Sequence, residues 1–407
     1  MLTRLKFLTA GESHGPGLTG ILEGLPAGIS IDIADLRNEL KRRQKGVGRG
    51  KRMAIEDEQV EIRGGVRYGK TLGSPIALWL PNRDWDNWHF QMCVETISNP
   101  AKPVTLPRPG HADFAGALKY GTSDIRNILE RASARETAMR VALGFLAKQF
   151  LAACGIKITS FVSQIGGIIA PEIQFTNTMD LQHFGEMVDA SPVRCPDPEA
   201  SGKMSSSIER AQNDGDSMGG RFGVVATGLP VGLGSHVHWD RKLDARLAAA
   251  LMSINAAKSV TVGTAAASEQ VGTTYHDEII PAESGITRTT NHAGGIEGGM
   301  SNGMPIVLEV AMKPIPTLIK PLRSVDLISG EAGLAHKERT DSCVVPAAGV
   351  IGEAMVALVL ADALLEKFGG DSLEQTLGHL AVSGQYLYNF KPGTDRSPEG
   401  QSDLKLS

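Results

Sequence analysis

The stretch Ala347–Phe368 reads AAGVIGEAMVALVLADALLEKF, and whether it crosses a membrane or fills a protein core decides what fold the rest of the chain can have. Its length suits a bilayer. Glu353 and Asp362 interrupt it, however, and carboxylates inside hydrocarbon are costly. We read the segment as a buried amphipathic helix of a globular core.

Working outward, apolar residues recur at three- and four-residue spacing over Ile33–Arg43, Ala134–Ala153 and Lys242–Ala257, which predicts three further helices. Short apolar or alternating runs predict strands at Leu5–Thr9, Leu18–Glu23, Ile76–Leu80, Ile156–Gln164, Arg221–Thr227 and Pro305–Met312. The 47 glycines are scattered between these elements and not gathered in a linker, so we expect one compact α+β body. Periodicity fades over Asn82–Leu106 and Pro171–Gly202, which are expected to be loop-rich insertions. A single domain is expected over residues 1–390. The polar stretch Lys391–Ser407, KPGTDRSPEGQSDLKLS, is expected to be a disordered tail.

At 407 residues the chain can bury a large core, and a net charge of −4 makes no general demand for nucleic acid or an anionic membrane. Cys93, Cys154, Cys195 and Cys343 form no C-x-x-C pair and have no histidine at ligand spacing. Neither a metal site nor a disulfide framework is expected, and reduced thiols fit a cytoplasmic protein. The start, MLTRLKFLTAGESHG, has no apolar region ahead of a small-residue cleavage site, so no secretion signal is read there.

Within that start, Gly11–Gly15 (GESHG) matches the G-x-S-x-G pattern of a nucleophilic serine. Such a serine needs a helix after it. The following PGLTGILEGLPAG is too rich in glycine and proline for one, which turns attention from Ser13 to His14. An imidazole in a glycine-walled loop can be approached closely by a ligand and titrates near neutrality. His111, in Pro107–Asp113 (PRPGHAD), follows a Pro-Gly turn ahead of a short helix. Each histidine alone has an ordinary structural reading as a loop residue, but two such loops invite an acid–base role.

Lys41–Arg52, KRRQKGVGRGKR, concentrates seven cations around three glycines. Solvated surface charge and nucleic-acid contact are the bland readings. Glycines that admit phosphate oxygens to the backbone, and the lack of interleaved aromatics, favour a small anion instead. In Glu130–Glu136 (ERASARE), Ser133 and Glu136 have capping-box spacing, and Arg131 and Arg135 flank a helix N-terminus suited to phosphate. GGIEGGMSNGMPI, Gly294–Ile306, is neither a P-loop nor a dinucleotide fingerprint. MKPIPT, Met312–Thr317, is an extended segment stiffened by two prolines and able to present rigid polar groups to a flat ring. Asp341 in KERTDSC is either an ion-pair partner or a proton acceptor.

Taken in order, GESHGPG, RRQKGVGRG, RPGHAD, ERASARETAMR, DGDSMGG, GLPVGLGS, DRKLDARLAAALMSINAAK, GGIEGGMSNG, MKPIPT and RTDSC resemble the chorismate synthase family over nearly the whole chain. Val47 departs from an aromatic that the family often carries, which leaves one wall of the pocket open to question. The resemblance implies a β-α-β sandwich with antiparallel sheets enclosing a helical layer, and a homotetramer. It implies trans-1,4 elimination of phosphate from 5-enolpyruvylshikimate 3-phosphate to give chorismate. Reduced FMN would be required, with NADPH its indirect reductant. Acid–base chemistry would fall on His14, His111 and Asp341. Flavin contacts would fall on Arg131, Ala132, Ser133, Asn255, Ala256, Gly298, Lys313, Pro314, Ile315, Pro316, Thr317 and Arg339. Arg43, Arg49, Arg52 and Arg135 would bind substrate anions, although Arg43 and Arg49 also match positions linked to a nicotinamide nucleotide. The rival reading is a nucleic-acid-binding module built on residues 41–52.

Overall fold

The structure, a computed structural model, describes residues 2–50, 59–282, 285–338 and 340–388. All six strands expected from sequence are present, and they fall into two antiparallel sheets. The first is built from β1 (Lys6–Ala10), β2 (Gly17–Glu23), β3 (Glu61–Gly64) and β4 (Ile76–Pro81), in the order β1-β2-β4-β3. The second comprises β5 (Lys157–Ile165), β6 (Ile168–Ile169), β7 (Gly220–Thr227), β8 (Ala257–Val262) and β9 (Ile306–Met312), in the order β8-β9-β7-β5-β6. Between the sheets lie α1 (Ile33–Gln44), α2 (Thr137–Ala153), α3 (Leu243–Met252) and α4 (Val345–Phe368). Helix α2 faces the first sheet, while α4 packs on α2 and on β5 and β7 of the second. The expected β-α-β sandwich is therefore what forms.

The opening stretch is helical and long and apolar enough to cross a bilayer, yet its apolar window lies wholly inside the protein. The expectation of an amphipathic helix is corrected. Only Glu366 and Lys367 reach the surface, and Glu353 and Asp362 are both fully buried. Helices on three sides and a sheet on the fourth leave α4 no polar face, so each carboxylate is paired where it stands. Glu353 accepts from Arg42 (2.9 and 3.0 Å), Lys148 (2.7 Å), Ser160 (2.7 Å) and Arg194 (3.1 Å). Asp362 takes the backbone N–H groups of Thr3, Arg4 and Leu5 (3.0, 2.7 and 2.7 Å) and pairs with buried Arg246, pinning the first strand to the core helix.

Glycine sets the closeness of the central layer. A Cβ on Gly144 of α2 would lie 2.3 Å from the Ala354 Cβ of α4, so the two helices meet backbone to backbone at that crossing. Alanine is the better helix former, and close approach overrides propensity here.

Three boundaries differ from expectation. Helix α3 stops at Met252 and not Ala257, because the chain reverses through Ala256 at φ 69° to enter β8. Residues 134–136 form a 3₁₀ turn ahead of α2. Within the Pro171–Gly202 segment, Leu181–Ala190 is a helix capped by Asp180, and a second helix, Pro198–Asn213, begins under an Asp197 cap with proline in its first turn. Those caps are visible in the sequence as D-L-Q and D-P-E, but Met, Ser and Gly interrupt the apolar spacing. Beyond α4, Leu373–Tyr388 is a further helix that periodicity missed. Ser372 and Gln375 close its start reciprocally. The tail from Lys391 lies outside the described residues.

Candidate active site

The loop between β1 and β2 carries His14. Gly11 at its mouth has φ 106°, and a Cβ there would sit 2.3 Å from the Gly17 carbonyl oxygen, so only glycine closes the turn. A nucleophile elbow would lead from strand to helix, whereas this loop leads from strand to strand, which disposes of the serine reading of Ser13. The Glu130 carboxylate organises the loop. It accepts from the His14 backbone N–H at 2.8 Å, and His14 Nδ1 lies 2.9 Å from both of its oxygens. Arg126 donates to Glu130 at 2.9 Å and lies over the Trp88 ring at 5.2 Å, and Trp88 in turn stacks on the His14 imidazole at 3.8 Å. The 82–106 stretch thus supplies, through Trp88, the wall behind the histidine.

His111 is held by a parallel device. Gly110 (φ 79°) turns the chain into the helix Asp113–Tyr120, and His111 Nδ1 sits 2.5 Å from Asp113 Oδ1. Arg108 binds the other oxygen of Asp113 through Nε (2.8 Å) and reaches Thr317 Oγ1 (2.8 Å) and His111 Nδ1 (3.1 Å). Burial pushes the Asp113 carboxyl up, but hydrogen bonds from His111 and Arg108 outweigh it and hold the group far below the ordinary carboxylate range. Glu338 spans the two devices, 3.4 Å from Arg108 and 3.8 Å from Arg126. Burial raises its pKa too, and His336, Arg108 and His14 together bring it below the usual value.

The basic loop folds inward. Arg43, buried, donates to Thr137 Oγ1 (3.2 Å) and to the Ala134 carbonyl (3.1 Å). Arg49 pairs with Asp341 Oδ2 at 2.6 Å, and Gly50 N–H donates to Asp341 Oδ1 at 2.6 Å. Ser342 N–H reaches the Gly48 carbonyl at 2.7 Å, so the two loops are stapled together. Val47 lies outside the cavity and packs on the core, so its departure from the family pattern does not alter a cavity wall.

Around these groups is a cavity of ≈ 400 Å³, within the range of small-molecule sites. His14, His111, Asp341, Arg43, Arg49 and Arg135 all line it, as do Ala132, Ser133, Asn255, Ala256, Lys313, Ile315, Pro316 and Thr317. Three expected flavin contacts do not. Arg131 turns away to the Thr9 and Gly11 carbonyls, Gly298 lies in the tight turn between Ile296–Glu297 and Met300–Ser301, and Pro314 faces outward. Arg52 and Arg339 lie outside the described residues. Only half of the expected capping box forms. Ser133 Oγ accepts from Arg135 N–H at 3.3 Å, while Glu136 pairs with Arg140 at 2.6 Å. Sequence reasoning passed over Arg108, Asp113, Glu130 and Glu338. All four stand inside motifs already singled out, and nothing in their spacing marked them as the partners of the histidines.

The arrangement has room for a flavin. Asn255 donates to the Ala132 carbonyl at 3.0 Å, and its buried Oδ1 has no partner among the described residues, leaving an acceptor at the wall for a ring N–H. Beside it, Lys313 donates to the Gly110 carbonyl and the proline-stiffened segment through Thr317 forms one side of the cavity.

Two carboxylate-backed histidines and several arginines around one cavity form a site chemically suited to acid–base work on a small polyanion. The chorismate synthase family model matches residues 5–365. The chain is 52% identical to chorismate synthase 1 of Bacillus cereus over 393 residues, covering 95% of this chain and 100% of that protein. It is 53% identical to chorismate synthase of Aquifex aeolicus over 381 residues, 92% of this chain and 96% of that one. A crystal structure of chorismate synthase superposes with a TM-score of 0.78 at 42% identity, covering 96% of this chain and 100% of that chain. The chain belongs to the chorismate synthase family, a family of lyases that depend on a reduced flavin.

Proposed function

We propose that this cavity carries out the family reaction, loss of phosphate from 5-enolpyruvylshikimate 3-phosphate across a 1,4 relationship to leave chorismate. The observation that carries the reading is the convergence of His14, His111, Asp341, Arg43, Arg49 and Arg135, drawn from distant parts of the chain, on one cavity. A substrate with two carboxylates and a phosphate needs several cations where water is scarce. Arg43, Arg49 and Arg135 meet that need, and Arg52 is proposed to join them. His14 hydrogen-bonds or protonates the departing phosphate, lowering its charge as it leaves. His111, steadied by Asp113 and Arg108, sits where it can offset negative charge on a bound ring. Asp341, oriented by Arg49 and Gly50, keeps lone pairs with which to accept a proton.

The flavin is proposed to be reduced FMN, held by Ala132, Ser133, Asn255, Ala256, Arg339 and the Lys313–Thr317 segment. When bound, it supplies an electron-rich ring that eases cleavage of the allylic C–O bond and takes the ring hydrogen, with every electron returned. NADPH acts indirectly, as the source of reduced flavin. Residues 1–390 work as one domain in the cytoplasm. Exposed Leu8 and Ile21, paired across β1 and β2, and exposed Phe114 and Leu118 on one helix face support assembly, proposed here as a homotetramer. Against a nucleic-acid role, Arg42, Arg43 and Arg49 of the basic segment point into the protein and are engaged there. The test is anaerobic incubation with the shikimate phosphate enol ether and dithionite-reduced FMN. Chorismate absorbance should rise, and should stay flat without FMN. No rise with FMN present refutes the reading.

A further inference from the structure

We propose that Glu130 is a positioning residue for His14, fixing which ring nitrogen holds the proton and turning the other toward the reaction. The proposal rests on the reading of His14 as the group that meets the leaving phosphate.

Glu130 is almost wholly buried, and the groups that reach it are donors: the His14 backbone N–H, His14 Nδ1 and Arg126 Nη1. A carboxylate facing Arg126 only accepts, so the ring proton belongs on Nδ1. Nδ1 lies 2.9 Å from each carboxylate oxygen, a bifurcated grip that fixes the ring plane as well as the proton. The Trp88 ring, 3.8 Å away, limits rotation of the imidazole about its own axis. The nitrogen across the ring, Nε2, is thereby the one that exchanges a proton with a ligand. When it takes one, the new positive charge appears beside a carboxylate already in place, with no rearrangement. Arg126 and the His14 backbone amide hold the carboxylate in turn.

A purely structural account is available, because the same carboxylate also anchors the loop and pairs with Arg126. The two accounts part on a double-mutant cycle. In Glu130→Gln the shape is kept, but one acceptor oxygen becomes an NH₂ donor, which cannot serve three donors and can face Nδ1 the wrong way round. We expect kcat to fall about 10- to 1,000-fold with KM changed less than about threefold, the loss being bounded by that of deleting His14 itself. In a His14→Ala background the same Glu130→Gln change should cost less than about twofold, because its partner is gone. An equal loss in both backgrounds overturns the proposal in favour of the structural account, and so does wild-type kcat in the single variant. Folding is checked by circular dichroism. A second measurement needs no variant: in ¹⁵N-histidine-labelled wild-type protein, neutral His14 should carry its proton on Nδ1, and a proton on Nε2 overturns the proposal. A His14→Ala variant as fast as wild type would instead sink the phosphate-side role of His14, an outcome read separately from the ring tautomer.

Discussion

Replacing Glu353 by glutamine removes one charge from a cluster that is neutral as built. Arg42, Lys148 and Arg194 supply three cations, and Glu39, Asp189 and Glu353 supply three carboxylates. Glutamine keeps the volume but leaves the cluster one positive charge in excess around a fully buried side chain. Breaking a buried pair from one side costs about 3–5 kcal/mol. With an unfolding entropy of about 2.1 cal/mol/K per residue, roughly 0.85 kcal/mol/K for this chain, about 4 kcal/mol corresponds to a fall of about 5 °C in Tm. Calorimetry at pH 7 and fixed protein concentration reads it. The pH dependence sharpens the test. Burial pushes Glu353 up, but Arg42, Lys148 and Arg194 outweigh it and hold it far below its ordinary 4.5. A carboxyl depressed in the folded state adds stability above its unfolded pKa and loses it as pH falls toward the folded value. The gap between wild type and Glu353→Gln should therefore be full at pH 7 and narrow below about pH 4.5. A variant with unchanged Tm at pH 7, or a gap that stays constant down to pH 3.5, refutes the reasoning.

His14→Ala and His111→Ala should each lose about a hundred- to ten-thousandfold in turnover while remaining folded, measured with reduced FMN in excess; wild-type rates in both would remove the histidines from the chemistry. Gly144→Ala should destabilise by up to about 2 kcal/mol in urea unfolding, the overpacking against Ala354 exceeding the roughly 1 kcal/mol that alanine gains in a helix. Stabilisation there would mean that the helices can move apart without cost. Asp362→Ala should cost about 3 kcal/mol by removing the acceptor of the Thr3–Leu5 amides and of one arm of buried Arg246, whose other arm stays on Glu366 at 2.9 Å. Hydrogen exchange at residues 3–5 should quicken with it, and unchanged protection would show that this segment ahead of β1 is held by other contacts.

Much of the fold is legible in local pattern. Strands β1, β2, β4, β5, β7 and β9 announce themselves as short apolar or alternating runs, most of them bounded by Gly, Pro or Asn, and α4 as an apolar run too long for a strand. What failed was local signal too weak to outweigh composition. The helix Pro198–Asn213 is polar over most of its length and buries only Ala200, Ser201, Met204 and Ile208, so its caps are a better guide than its periodicity. Strand β8 follows α3 after four residues, 253–256, that end on a left-handed alanine, and no glycine or proline marks the change.

In the site, motif order named the cavity-lining His14, His111 and Asp341, proposed to do the chemistry, and the arginines around them, because those residues stand in short segments whose chemistry can be read in place. Their partners could not be read that way. Glu130 meets His14 across 116 positions, and Asp341 meets Arg49 across 292, so each contact exists only after the sheets close on the helical layer. Sequence by itself thus determined which groups are present and where the chain alternates between strand and helix. Tertiary structure alone decided which carboxylate faces which cation. It also showed that the charges of α4 are neutralised inside the core and not turned to solvent, since pairing in a low-dielectric interior depends on distance through space and not along the chain.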